Sequence, residues 1–189
     1  AGVLLFSLWL EREGEALAGD VVRLHVLANS DSDEDQALKL AVRDRILEEA
    51  APLLAGVSDR ARAQEILTAS LQTLADAGAS QVAEEGYGYP VTVSMEETWF
   101  PTKEYDDFAL PAGNYTALRV VIGEGGGHNW WCVVFPPLCL GAVSESVDAT
   151  AAMAGLNDEE IALITGEDEG YVVKFKLLEL WDELKQRLA

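Results

Sequence analysis

His128 lies four residues before Cys132, and histidine and cysteine are the residue types that most often supply a base and a nucleophile. Their setting argues against that use. Glycine precedes the histidine, a strand-like apolar run holds the cysteine, and no third orienting group or oxyanion-hole motif accompanies them. Two histidines and two cysteines allow zinc on paper, yet no paired Cys-x-x-Cys or His-x-x-x-His spacing exists. Asp31, Asp33 and Asp35 alternate like calcium-loop ligands. Counted from Asp31, however, the sixth position is Gln36 instead of Gly and the twelfth is Val42 instead of Glu, so the sharp turn and the bidentate ligand are both missing. The pair Glu96-Glu97 discriminates nothing in a chain with 33 acidic residues. Gly123-Glu124-Gly125-Gly126-Gly127 joins two strand-like segments and opens no helix, which makes it a turn and not a phosphate-binding loop. No catalytic residue, metal or cofactor is assigned.

The segments that position these residues are organised around 129–139. Trp130 to Phe135 are six consecutive apolar or aromatic residues between the glycine-rich turn and Pro136-Pro137, which reads as a short buried strand. Trp130 and Cys132 face one side, and Trp131 and Val133 the other. The strand is therefore expected near the middle of a sheet. Tryptophan and cysteine are commonly core residues, while tryptophan is also enriched at binding hot spots, and both readings stand at this level.

Earlier in the chain, Val22, Leu24 and Val26 alternate with Arg23 and His25, giving a first strand over 21–28 with one apolar face. Ser32 followed by Asp35 marks a helix start with acids on its positive end, and Leu38, Val42 and Ile46 form its stripe up to Pro52. A second helix is expected over 58–84 from Leu67, Leu71, Leu74, Gly78 and Val82. Strands follow at 91–95 and 115–122, separated by a long connection, 99–113, with aromatic anchors. Leu177, Leu180, Trp181, Leu184 and Leu188 mark a C-terminal helix. The fold class is α+β: a mainly antiparallel four-stranded sheet covered by two helices inserted after the first strand, plus that C-terminal helix.

Composition limits the partners. The formal net charge of −20 opposes binding to nucleic acid and to anionic lipid surfaces. Residues 1–10 are apolar apart from Ser7, too short to span a bilayer as a helix, and read as the remnant of a signal peptide or N-terminal membrane anchor. Three regions result: 1–20, the remnant and a linker; 21–140, the α+β domain; and 141–189, an acidic linker with a helical extension.

Several sequence blocks carry a family resemblance. Arg23-Leu24-His25-Val26-Leu27-Ala28-Asn29-Ser30-Asp31-Ser32 is followed by Asp35-Gln36-Ala37-Leu38-Lys39-Leu40 and Val42-Arg43-Asp44. Phe100-Pro101-Thr102-Lys103 and Leu110 to Tyr115 come next, and then Ala117 to Gly125 and Asn129 to Cys139. In this order they resemble the stage II sporulation protein R family over about 21–139. The resemblance implies a secreted signalling protein, not an enzyme, made in the forespore and placed in the space between forespore and mother cell. Its implied partner is a membrane-embedded aspartic protease, stage II sporulation protein GA, which processes the pro-form of sigma factor E. An extracytoplasmic wall or peptide hydrolase and a tethering adaptor are the competing classes.

The resemblance does not identify contact residues. The partner-binding candidates are Arg23, His25, Asn29, Asp31, Arg119, Asn129 and Trp130, each with a structural alternative: salt bridging for the arginines, turn and cap chemistry for Asn29 and Asp31. Outside the cytoplasm, the even cysteine count favours a Cys132–Cys139 disulfide over two buried thiols.

Overall fold

The computed structural model describes residues 17–105, 108–138, 156, 161 and 165. The first strand, β1 (Val22–Leu27), leads into helices α1 (Asp33–Leu54), α2 (Arg60–Ala69) and α3 (Leu71–Glu84). Strand β2 (Val91–Phe100) follows, then the short strands β3 (Lys103–Glu104) and β4 (Ala109–Leu110), and finally β5 (Gly113–Ile122) and β6 (Asn129–Phe135).

Helix α1 starts as its sequence dictates. Ser32 Oγ accepts a hydrogen bond from the Asp35 backbone N–H at 3.2 Å, and Asp33, Glu34 and Asp35 occupy the positive first turn. The helix does not stop before Pro52 but runs through it to Leu54. A proline in the last turn forfeits one backbone hydrogen bond, which burial of Ala50 and Leu54 offsets.

The helix expected over 58–84 is two helices that meet at Ser70, whose N–H bonds to the Leu67 carbonyl at 3.0 Å. Length supplies the reason. A straight helix over 58–84 would measure about 40 Å at 1.5 Å per residue. Ten-residue strands such as β2 and β5 reach only about 33 Å. Breaking the rod lets α2 bury Ala63 and Leu67 while α3 lays Leu74, Gly78 and Val82 over the sheet. At Gly78 a Cβ would come within 2.9 Å of Val91 Cγ1 and 3.5 Å of Val42 Cγ1, so the bare glycine sets how closely α3 approaches β2 and α1.

The four long strands lie in the order β2-β5-β1-β6. Strands β2 and β5 pair antiparallel, as do β1 and β6, but β1 and β5 run parallel, so the sheet is mixed. The tryptophan strand β6 occupies an outer position among the described residues, not the expected middle. The chain returns from β2 into β5 beside β1, and that fills the central place.

Val22, Leu24 and Val26 face the helices and pack with Val42, Ile46, Leu74, Leu118, Val120 and Val134. Each such side chain, fully buried, contributes about 1.5–3 kcal/mol. A second cluster covers the opposite face: Phe100, Tyr115, Ala117 and Val133 from the sheet, with Leu17, Val21, Phe108, Leu110 and Leu138 around them. Leu156 and Ile161, from the stretch read as linker and extension, also pack there. The N-terminal remnant and the C-terminal helix lie outside the described residues.

Candidate functional site

The candidate residues of β1 belong to this second face. Alternation places Arg23 and His25 opposite the apolar face, where solvent is the simple expectation; the structure buries both. Arg23 is met by Tyr105, which stacks on Phe108 at 4.4 Å beside the β3–β4 pair, while His25 packs against Phe100, Trp131 and Asn129. The Arg23 guanidinium sits 4.3 Å from the Phe100 ring centroid and 5.0 Å from that of Tyr115. Its Nε donates to the Cys132 carbonyl at 3.2 Å and its Nη2 to the Tyr105 hydroxyl at 2.9 Å, and that hydroxyl donates to the Trp131 carbonyl at 3.2 Å. Nη1 has no hydrogen-bond partner. Among the described residues, aromatic faces and neutral oxygens make the contacts to this charge. Burial pushes the Tyr105 and Tyr115 hydroxyls above the ordinary tyrosine range, so both stay protonated.

His25 touches Asn129, which makes these two candidates direct partners. Asn129 Oδ1, an acceptor, lies 2.7 Å from His25 Nε2, so that nitrogen carries the proton. Nδ1 is then a buried acceptor without a partner. The ring packs edge-on against Phe100 at 5.8 Å and lies 6.1 Å from Trp131. Burial lowers its pKa, and the charges of Arg119 and Arg23 act in the same direction. Arg119 itself pairs with Glu96, Nε to Oε1 at 3.2 Å, in a geometry too bent to count as a hydrogen bond.

Asn29 and Asp31 sit at the end of the sheet where the β1–α1 and β5–β6 loops meet. Asn29 Nδ2 and Ser30 Oγ both donate to Asp35 Oδ2, at 2.9 and 2.6 Å, and these bonds hold the Asp35 carboxyl below the usual range. Asn29 Oδ1 accepts from the Glu124 N–H at 3.0 Å, and the Asn29 carbonyl accepts from the Gly126 N–H at 3.1 Å. Asp31 Oδ1 receives the His128 N–H at 2.6 Å and faces His128 Nδ1 at 2.5 Å. Lys39, largely buried and with its pKa lowered by that burial, donates to the His128 carbonyl at 3.0 Å. The glycines are sterically required. A Cβ on Gly127 would fall 2.2 Å from the Ser30 carbonyl oxygen, and Gly123 adopts φ +59° against the Asn29 side chain. The blocks around 29–39 and 123–129 are therefore two halves of one polar clasp.

Trp130 points to the helical face, where the Arg43 guanidinium lies 4.6 Å from its ring centroid. The seven candidates thus fall into three places. Arg23, His25, Arg119 and Asn129 share the covered face, Asn29 and Asp31 tie the loops, and Trp130 packs on α1. Sequence reasoning missed Tyr105, Phe100 and Tyr115 around Arg23, and Asp35 and Lys39 in the clasp. The aromatic anchors of the long connection were the signal available for the first group. Cys132 is disulfide-bonded, while Cys139, the chain's only other cysteine, lies outside the described residues. Among the described residues, no group of three or more His, Cys, Asp or Glu side chains is arranged to hold a metal ion.

One helical layer, one mixed sheet and an aromatic cover over the sheet's other face define a layered α+β domain. Residues 18–145, more than half of the chain, match the Stage II sporulation protein R family. The Stage II sporulation protein R of Bacillus subtilis (strain 168) is 35% identical over 129 residues, covering 68% of this chain and 58% of that relative's length. The chain belongs to the stage II sporulation protein R family, a sporulation family. No solved structure matches it.

Proposed function

We propose that the chain is a secreted sporulation signal that acts in the space between forespore and mother cell. There it activates the membrane-embedded aspartic protease stage II sporulation protein GA, so that the pro-form of sigma factor E is processed on the far side of the membrane. Family membership across 18–145 is the observation that carries this reading. The polar clasp adds physical support, because a rigid loop platform loses little entropy when a receptor engages it. A ligand activates such a receptor only by binding its active state better than its inactive one. A hundredfold shift requires about 2.7 kcal/mol of differential affinity.

The test is reconstitution in a non-sporulating bacterium that produces the protease and the pro-sigma substrate, with this chain directed either to the exterior or to the cytoplasm. Processing is expected only with the exported chain. Processing that is equal with and without the chain, or that survives inactivation of the aspartic protease, would overturn the proposal; the second result would favour a hydrolytic activity of the chain itself.

A further inference from the structure

Strand β2 forms one end of the sheet, and all ten of its residues are in register with β5, from Val91 opposite Ile122 to Phe100 opposite Gly113, with no bulge. Its other edge has no strand beside it among the described residues. Proteins ordinarily blunt such edges with a bulge, an internal proline or an outward lysine. Pro90 and Pro101 flank this strand without interrupting it, it contains no basic residue, and its only charges are Glu96 and Glu97, which guard it against acidic strands but not basic ones. Trp99, 51% exposed, lies near its end.

We infer that the free edge of β2 is a docking site for an extended, basic segment of a partner protein, which adds to the sheet as a further strand. Charge selects the occupant. Glu96 and Glu97 sit mid-strand, and α3, which packs against β2, carries Asp76 and Glu84 and no base. Two cations beside these acids are already engaged: Arg119 pairs with Glu96, and Arg60 donates to the Thr116 hydroxyl, which in turn donates to Glu97. A second copy of this chain fits poorly. Full antiparallel pairing of β2 with itself sets Glu96 opposite Met95 and Glu97 opposite Ser94. That sets Glu96 of each copy diagonally across from Glu97 of the other, two positions away on the same face, on chains of net charge −20. Lysine or arginine side chains on an added strand would instead meet these acids, and Trp99 offers an aromatic face to one of them. This inference rests on the sheet edge and does not depend on the proposed function.

The probe is a decapeptide of alternating lysine and valine, added to the full chain while amide exchange is followed residue by residue. At peptide concentrations about tenfold above its Kd, exchange at the outward-pointing amides of β2 is expected to slow about tenfold. The glutamate-valine analogue and a peptide N-methylated at alternate residues should give no protection. Trp99→Ala and Glu97→Lys should each weaken the lysine peptide's effect. Absence of protection on β2, equal protection by the glutamate or N-methylated peptides, or protection that grows with protein concentration alone would each overturn the inference, the last by showing a second copy as the occupant.

Discussion

At the scale of single residues, buried polar groups decide how the fold responds to solution conditions. His25 is held neutral by burial, whereas in the unfolded chain it titrates near its ordinary value of about 6.5. Between its depressed native pKa and 6.5, the unfolded state binds the proton more readily. Its contribution to stability is therefore complete above about pH 6.5 and is lost as pH falls from there through the depressed native pKa. The urea midpoint should decline from pH 7.5 to 5.5, and His25→Gln should flatten that decline; a variant with the wild-type pH profile would remove His25 as its cause. Arg23 depends on the planar shape of its side chain. Arg23→Lys keeps the charge but loses the flat contact with Phe100 and the hydrogen bonds to Tyr105 and Cys132, and should cost about 1–3 kcal/mol in chemical denaturation. For the cysteines we expect Cys132 to pair with Cys139, so that unreduced, denatured protein takes up no alkylating reagent; two labelled thiols in the mass spectrum would reject the bridge.

At the scale of elements, legibility in the sequence followed the range of the forces involved. The start of α1 was readable because Ser32 and Asp35 make a local hydrogen bond, β1 was readable from local alternation, and β6 from a continuous apolar run bounded by turn residues. The break at Ser70 was not, because the apolar stripe continues across it and only the length of the sheet requires it. The burial of Arg23 and His25 was hidden for the same reason. Arg23 is met by Tyr105, 82 residues away in sequence, and His25 by Asn129, 104 residues away. The glycine-rich turn was correctly read as a turn, but its second role in closing the clasp needs the Ser30 carbonyl beside Gly127, a contact between distant segments. Gly127→Ala should therefore cost about 1–3 kcal/mol by overpacking against backbone. In NMR spectra the shifts should centre on 28–39 and 123–129, and a variant as stable as wild type would show that the loop relaxes freely.

At the scale of the whole molecule, the net charge of −20 acts on folding and on docking with opposite signs. Like charges crowded on a folded domain repel one another, and added salt shortens the Debye length from about 30 Å at 0.01 M to about 10 Å at 0.1 M. Thermal stability should therefore rise with sodium chloride over that range. The same screening weakens the attraction between the acidic rim of β2 and an incoming basic strand, so the lysine-valine peptide should bind more weakly over the same range. A single pair of titrations separates these effects: thermal unfolding by circular dichroism, and peptide affinity by calorimetry, each at 0.01 and 0.1 M salt. Duplex DNA should bind at neither concentration, since its phosphates meet the same field with the unfavourable sign. If salt destabilised the fold, surface ion pairs such as Arg119–Glu96 would outweigh the net repulsion. If peptide affinity did not respond to salt, backbone pairing alone would drive docking, and the basic character assigned to the partner strand would be wrong.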